Sequence, residues 1–304
     1  MEPKEIPGKE KIGFIGLGAM GQPMSRRLLE AGYPVVACDL RTEAVKAAVQ
    51  KGAEPASSAA EVAEKCRKVI TIVPNSDAVD QVVFGPRGLL EGLKAGDVLL
   101  EMTSAYPPST LRVHQALAAK GASMIDAPVS GGVVGAEAGT LSIMVGGDES
   151  IFQSCRSILS VMGKNLFYLG GIGSGHALKA INNFLSATTL AATSEAVILA
   201  EKLGLSPQRV VEVIQVSTGR SYSTELKFPK FVLPKTFNSG FALDLMYKDI
   251  DTVTRMAREY KIPMFIANLV QQIYGFAVAQ GGGKGDHTAI FQYLEGMAKT
   301  KGER

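Results

Sequence analysis

The sequence predicts an α/β chain in two parts: a doubly wound, mostly parallel sheet, then an all-α half entered through a long helix. Three observations carry that prediction. Short β-forming apolar runs alternate with helical stretches as far as about residue 171. A glycine-rich turn joins the first run to the first helix. Beyond Gly175 the alternation gives way to helical spacing alone. The parts are read as a lead-in over 1–10, a sheet domain over 11–174 and a helical domain over 175–304.

Taken in order, the chain opens on "MEPKEIPGKEK", polar and without the apolar core of a signal peptide, and this stretch is expected to be a flexible lead-in. Lys11–Ile15 is the first strand, Met20–Ala31 has helical spacing with Met24, Leu28 and Ala31 on one side, and "PVVACD" is the next strand. Between the first strand and the helix stand Gly16, Gly18 and Gly21, in the pattern GxGxxG. The order gives each glycine a task. Gly16 permits the turn. Gly18, with Ala19 and Met20 beside it, lets a pyrophosphate approach the backbone. Gly21 lets the helix pack closely on the strand. The helix N-terminus offers N–H groups and partial positive charge to the phosphates, as in a Rossmann-type domain. Asp39 follows Gly21 by eighteen residues, at the end of the second strand. A carboxylate there accepts hydrogen bonds from an adenosine ribose and repels a 2′-phosphate, which favours NAD over NADP. The alternative for Asp39 is a turn residue starting the next helix. Arg41, able to swing towards a 2′-phosphate, keeps NADP open.

Further strands are predicted at 69–74, 98–104, 123–130, 141–147 and 165–171, with helices at Pro107–Lys120 and Glu149–Met162. Ligands of such sheets lie beyond the carboxyl ends of the strands. Pro74, Asn75 and Ser76, and Thr103 and Ser104, fall at such ends and are expected along the cofactor, with Thr103 near the nicotinamide. The other reading makes them helix caps and turns. "DAPVSGGVVGAEAGT" (126–140) holds five Gly or Ser in fifteen residues and is read as a loop, too rich in them for a helix.

"GIGSG" (171–175) marks the change of pattern. Helices are predicted over 176–203, 207–217, 222–233, about 242–260 and about 263–279, with Gly281–Gly285 a flexible joint before the last. The longest contains Lys179, Asn182, Asn183, Glu195, Glu201 and Lys202. A bilayer span avoids such groups, so it is expected to lie buried inside protein. Lys179 and Asn183 are four apart and share a face. A buried lysine has a lowered pKa and serves as an acid–base group near neutral pH; the other reading is a first-turn lysine paired with an acid. His176, one turn earlier, has no acidic partner evident in the sequence and is read as a polar residue near the helix start. His114 and His287 receive no role.

Charge and cysteines narrow the classes. A net charge of +3 is too small and dispersed to argue for nucleic acid. Cys38, Cys66 and Cys155 are far apart, without CxxC spacing, so a disulfide framework or zinc site is not expected and a cytoplasmic location is.

"GFIGLGAMGQPM" (13–24), "DAPVSGG" (126–132), "GSGHALKAINN" (173–183) and "YKDI" (247–250) together resemble the β-hydroxyacid dehydrogenase family, over roughly Lys11–Met297. The resemblance implies that Ser130 and the backbone at Gly131 and Gly132 hold a substrate carboxylate. It implies Lys179 as general acid/base, Asn183 as a substrate contact, Lys248 as a second lysine near substrate and cofactor, and Asp249 as an orienting group, with no metal. Where NADP-using relatives carry Asn then Arg, this chain has Asp39 then Leu40, again favouring NAD. The family forms dimers or tetramers, so a homo-oligomer is implied. The stretches 217–231 and 241–249 resemble the 2-(hydroxymethyl)glutarate branch of the family. In that case Arg220, Ser221 and Tyr222 would meet a second carboxylate; otherwise Arg220 faces solvent. The leading expectation is an NAD-dependent oxidoreductase interconverting a 3-hydroxy acid and its semialdehyde. Small substrates (3-hydroxyisobutyrate, tartronate semialdehyde, glyoxylate or succinic semialdehyde) are the alternative. Imine reduction and phosphogluconate-type decarboxylation rank below it, and a catalytically silent dinucleotide-binding scaffold is the alternative of another class.

Overall fold

The computed structural model describes residues 9–298; the lead-in predicted over 1–10 therefore lies mostly outside the described residues. The chain divides into two compact units after Lys179, inside the long helix.

In the first unit, β1 (Ile12–Ile15), β2 (Val35–Cys38), β3 (Glu54–Pro55), β4 (Lys68–Thr71), β5 (Val98–Glu101) and β6 (Ser123–Asp126) run in the order β3-β2-β1-β4-β5-β6. Every neighbouring pair is parallel. This is the strand order of a dinucleotide-binding sheet, with its switch point between β1 and β4. The predicted strand over 123–130 is two: β6 ends at Asp126 and β7 (Val129–Ser130) resumes after Pro128, which has no N–H to give a ladder. β8 (Leu141–Gly147) runs antiparallel to both and parallel to β9 (Gly163–Tyr168).

Alternate residues of the strands point to opposite faces, and both faces are buried. Ile12, Phe14, Ile70 and Leu100 join a core with Met24 and Leu28 of α1 (Gly21–Glu30). Ile15, Val69 and Leu99 join another with Val62, Val79 and Val113. These last three lie on helices that follow α2 (Thr42–Val49): α3 (Ala59–Lys65), α4 (Ser76–Phe84) and, after the single turn α5 (Leu89–Gly92), α6 (Pro107–Ala118). A parallel sheet requires this double cover.

The glycine-rich stretch 126–140 is not wholly a loop. α7 (Gly132–Ala138) lies within it. Gly131 (φ 133°) and Gly132 (φ 63°) turn the chain into this helix, and Gly139 (φ 68°) ends it in the left-handed region. The glycines read as breakers thus work mainly at its ends. α8 (Glu149–Met162) stands where predicted and buries Phe152, Cys155 and Ile158.

α9 (Ser174–Lys202) leads into the second unit, followed by α10 (Pro207–Gln215), a wide π-helical segment at Ser223–Val232, α11 (Leu243–Glu259) and α12 (Phe265–Ala277). The segment predicted as a plain helix over 222–233 takes wide turns around Pro229, which cannot donate to the regular ladder. Leu190, Phe228, Met246, Ile250 and Tyr274 form the core of this unit. α9 is not buried all round, as expected of it: Ile181, Leu185 and Leu199 are exposed. No helix among the described residues is long and apolar enough to cross a membrane. The predicted joint at Gly281–Gly285 is tied down. Its Gly285 and Gly283 carbonyls accept from Leu243 N and Asp244 N at 2.8 and 2.9 Å, satisfying the first N–H groups of α11.

His287 is buried beside this turn, its Nδ1 3.2 Å from the Phe241 carbonyl. Burial, aided by the positive charge of Lys227, pushes its pKa from 6.5 down to about 3, against the opposing pull of Asp286. The folded ring is therefore neutral where the unfolded one gains a proton. Its contribution to stability is complete above pH 6.5 and is lost progressively as the pH falls towards 3. Urea midpoints between pH 8 and pH 4 should fall on that slope, and less steeply in His287→Gln.

Candidate active site

The dinucleotide loop is a steric arrangement before it is a binding one. A Cβ on Gly16 would lie 2.1 Å from the Ile72 carbonyl oxygen, and one on Gly21 would lie 1.8 Å from that of Gly16. Neither position tolerates a side chain. At Gly18 nothing lies within 4 Å of the same point, and Ala19 beside it is exposed, so the lip of the turn between β1 and α1 is open where a phosphate would approach. Met20 is half-buried on the same lip.

Asp39 stands beside this loop. Its carboxylate accepts from Leu17 N at 2.7 Å and from Arg41 N at 2.8 Å. Burial alone would raise this carboxyl; the hydrogen bonds from Arg41 and Leu17 outweigh it and hold the group below the usual range. Arg41 lies across the same turn, with Nε 3.2 Å from Asp39 and Nη2 donating to the Leu17 carbonyl at 2.9 Å. Leu40, between them, is fully exposed and offers no charge. The residues present fit a nicotinamide dinucleotide: a side-chain-free cradle for the pyrophosphate and an ionised acid for the ribose.

At the carboxyl ends of β5 and β6 lies a feature that the sequence reading missed. His176 does have acidic partners. Its Nε2 is 3.0 Å from Glu101 Oε2, and its Nδ1 is 3.8 Å from Asp126 Oδ2. All three side chains are buried. Thr110 Oγ1 donates to the Tyr106 carbonyl at 3.3 Å and so turns a lone pair to His176 Nδ1 at 2.7 Å. The ring thus has a hydroxyl at Nδ1 and a carboxylate oxygen facing Nε2. Asp126 also accepts from Gly173 N at 2.7 Å and His176 N at 2.8 Å, at the start of α9. The carboxylate that opens "DAPVSGG" therefore fixes the entrance of the lysine-bearing helix. Ser130, at the end of β7, is half-buried, and Gly131 and Gly132 are exposed in positive-φ conformations that bare their backbone.

On α9, Lys179 is 8% exposed and Asn183 is buried one turn on. Asn183 Nδ2 donates to Asp249 Oδ2 at 2.5 Å, and Lys248 Nζ stands 3.0 Å from Asp249 Oδ1. Buried Asp249 thus joins the asparagine of one motif to the second lysine of another. Thr103 is buried; its hydroxyl accepts from Val73 N at 3.1 Å and ties the ends of β4 and β5 together. Asn75 caps α4 by accepting from Ala78 N at 2.9 Å, Ser76 accepts from Tyr106 N at 2.9 Å, and Pro74 beside them is exposed. These residues have the capping and turn roles kept open for them, at strand ends on the sheet's ligand side. Arg220 is 66% exposed and paired with Glu225 at 3.3 Å, as in its solvent-facing reading.

Comparison with known proteins agrees with this arrangement. Residues 11–170 match the family model described as the NAD binding domain of 6-phosphogluconate dehydrogenase. Residues 173–294 match that described as NAD-binding of NADP-dependent 3-hydroxyisobutyrate dehydrogenase. The chain is 42% identical to 2-(hydroxymethyl)glutarate dehydrogenase of Eubacterium barkeri, over 94% of this chain and 95% of the relative. It is 35% identical to mitochondrial 3-hydroxyisobutyrate dehydrogenase of Homo sapiens, over 96% and 88%. A structure of Mycobacterium tuberculosis 3-hydroxyisobutyrate dehydrogenase with L-serine superposes with a TM-score of 0.87 at 31% identity, covering 94% of this chain and 99% of that one.

The Asp126 tie has a measurable worth. Asp126→Ala leaves two buried backbone N–H groups short of their acceptor and removes a carboxylate from beside His176. It should cost about 3–5 kcal/mol in chemical denaturation. A loss below about 1 kcal/mol would show that the cluster is not a structural anchor.

Proposed function

The chain belongs to the β-hydroxyacid dehydrogenase family and is an NAD(P)-dependent hydroxyacid dehydrogenase, and on that premise we propose that it interconverts a 3-hydroxy acid and its semialdehyde, with Lys179 as the general acid/base and NAD as the preferred dinucleotide. The observation that carries the reading is a buried lysine and a buried asparagine on one helix face, the latter bonded to an Asp249 that also holds Lys248. When bound, the nicotinamide supplies or accepts the hydride. The chain's own residues do the rest. In the reducing direction Lys179 gives a proton to the forming alkoxide; in oxidation it takes the alcohol proton. Asn183, held by Asp249, orients the substrate oxygen, and Lys248 adds positive charge near it. Ser130, with the backbone at Gly131 and Gly132, receives the carboxylate common to every 3-hydroxy acid. This is positioning plus charge stabilisation. Gly16, Gly18, Ala19, Met20 and Gly21 cradle the pyrophosphate, with Pro74, Asn75 and Thr103 further along the cofactor.

The preference for NAD rests on Asp39, whose hydrogen bonds keep it ionised, and on Leu40, which brings no cation to a 2′-phosphate. Relatives at 35% and 42% identity act on substrates of different length, so substrate size is the open variable within the family. We further infer a cytoplasmic homo-oligomer. Exposed Phe265 (82%), Leu269 and Leu199 offer apolar surface that a second subunit would cover.

Two measurements test these statements. Purified protein should reduce semialdehydes that carry a carboxylate, faster with NADH than with NADPH. Lys179→Ala should lower kcat by about 10²–10⁴-fold while NADH binding, followed by fluorescence, persists. Full activity in that variant would remove Lys179 from the chemistry; binding without turnover on any such substrate would favour a silent scaffold. Sedimentation should give a multiple of the 32.1 kDa chain mass.

A further inference from the structure

We infer that Glu101 and His176 are positioning residues: this buried pair holds the first turn of α9 at one rotation, and so keeps Lys179 in place relative to the strand ends proposed to line the cofactor. The inference rests on the function proposed above. All the residues concerned, Lys179 included, belong to the first unit. The His176 side chain is 0% exposed, so it is sealed from any substrate and acts only through its neighbours.

The sheet sets where the acids stand. Glu101 is the register partner of Thr71 on β4 and of Asp126 on β6. The three side chains therefore form a row on one face, at the carboxyl ends of adjacent strands. Glu101 uses both of its oxygens. Oε1 accepts from Thr103 N at 2.8 Å, at the turn whose hydroxyl is tied to Val73 N. Oε2 lies 3.0 Å from His176 Nε2. Thr110, in the first turn of α6, stands 2.7 Å from the other ring nitrogen. One imidazole thus meets the end of β5, the start of α6 and the start of α9.

Two acids buried on neighbouring strands are a poor source of stability, because desolvation takes back what pairing gives. What such a cluster fixes is geometry. Asp126 holds the backbone at the entrance of α9, through Gly173 N and His176 N. The ring stands further from the helix axis and so sets rotation about it. Lys179 is three residues beyond His176, about 60° from it around the helix and about 4.5 Å along it. At a radius of about 6 Å, a rotation of about 10° moves a side-chain atom by about 1 Å. A displacement of that size at a reacting group costs about 10²-fold in rate. The glycine turn and Asp39 follow other strands, β1 and β2, so loss of the ring should slow the chemistry and spare cofactor affinity.

The test uses the full-length protein with saturating NADH, and 2-formylglutarate and methylmalonate semialdehyde as probes. His176→Leu should lower kcat by about 10- to 100-fold. KM and the NADH dissociation constant, read by fluorescence, should stay close to wild type. The isotope effect from NADH deuterated at the transferred hydrogen should be undiminished, which places the loss in the chemical step. His176→Gln, whose amide can meet both Thr110 and Glu101, should recover most of the rate. Thr110→Val removes the hydroxyl at Nδ1 with little change of volume and should lower kcat in the same pattern by about 2- to 10-fold; it carries the test if His176→Leu does not fold. Full kcat in folded His176→Leu, or in Thr110→Val where only that variant folds, overturns the inference. So does a fall in kcat matched by an equal loss of NADH affinity, which marks a general loosening of the sheet. Full kcat in Lys179→Ala fails the role given to that lysine, and wild-type protein that reduces neither probe with either nucleotide fails the function itself; the inference falls with either.

Discussion

Two carboxylates and one imidazole sealed beneath the ends of β5 and β6 are the constraint on which the first unit depends. Each buried charge costs several kcal/mol in desolvation unless it is matched. Here the matching groups are specific: the imidazole between Glu101 and Asp126, Thr110 on the ring, and two backbone N–H groups on Asp126. The groups also come from different parts of the chain. Asp126 ends a central strand and begins the loop that leads to Ser130, while Gly173 and His176 belong to the start of α9. One carboxylate therefore ties the loop that leads to Ser130 to the start of the helix that carries Lys179. The spacing is enforced by glycine. A Cβ on Gly175 would sit 2.3 Å from the Met144 carbonyl oxygen and 2.9 Å from Asp126 Oδ2, and one on Gly146 would sit 2.5 Å from Asp126 Oδ1.

The same logic runs through the dinucleotide loop. At Gly16 and Gly21 side chains are excluded by backbone atoms of the fold itself, whereas at Gly18 the space is open. The first two glycines are needed for β1 and α1 to meet at all; the third leaves room for something the chain does not supply. In the proposed function Asp39 is the residue that makes this cradle selective. Its carboxylate already accepts two backbone N–H groups, so it is ionised and held in place before any ribose arrives.

Much of this was legible in the sequence because it is local. The phosphate turn, the acid eighteen residues on, the i, i+4 pair on α9 and the limits of α8 all follow from spacing along a short piece of chain. What escaped was non-local or contrary to propensity. The acidic partners of His176 are 75 and 50 residues away, and only the parallel order of β5 and β6 brings them to it. β3 is two residues long and contains a proline, too short for any periodic signal. α7 was hidden because its glycines counted against a helix, although they stand mainly where helices begin and end. The wide helical turns around Pro229 have a hydrogen-bonding pattern that no apolar periodicity announces.

A 29-residue helix is stiff and delivers side chains at a fixed rise, so residues on one face act as marks along a straight edge. The Asp126 tie fixes where the edge begins, and Lys179 and Asn183, the residues of the proposed reaction, occupy the next marks. A helix that begins at a buried anchor is thus the means by which the fold keeps the distance from the Asp126 tie to these two side chains constant.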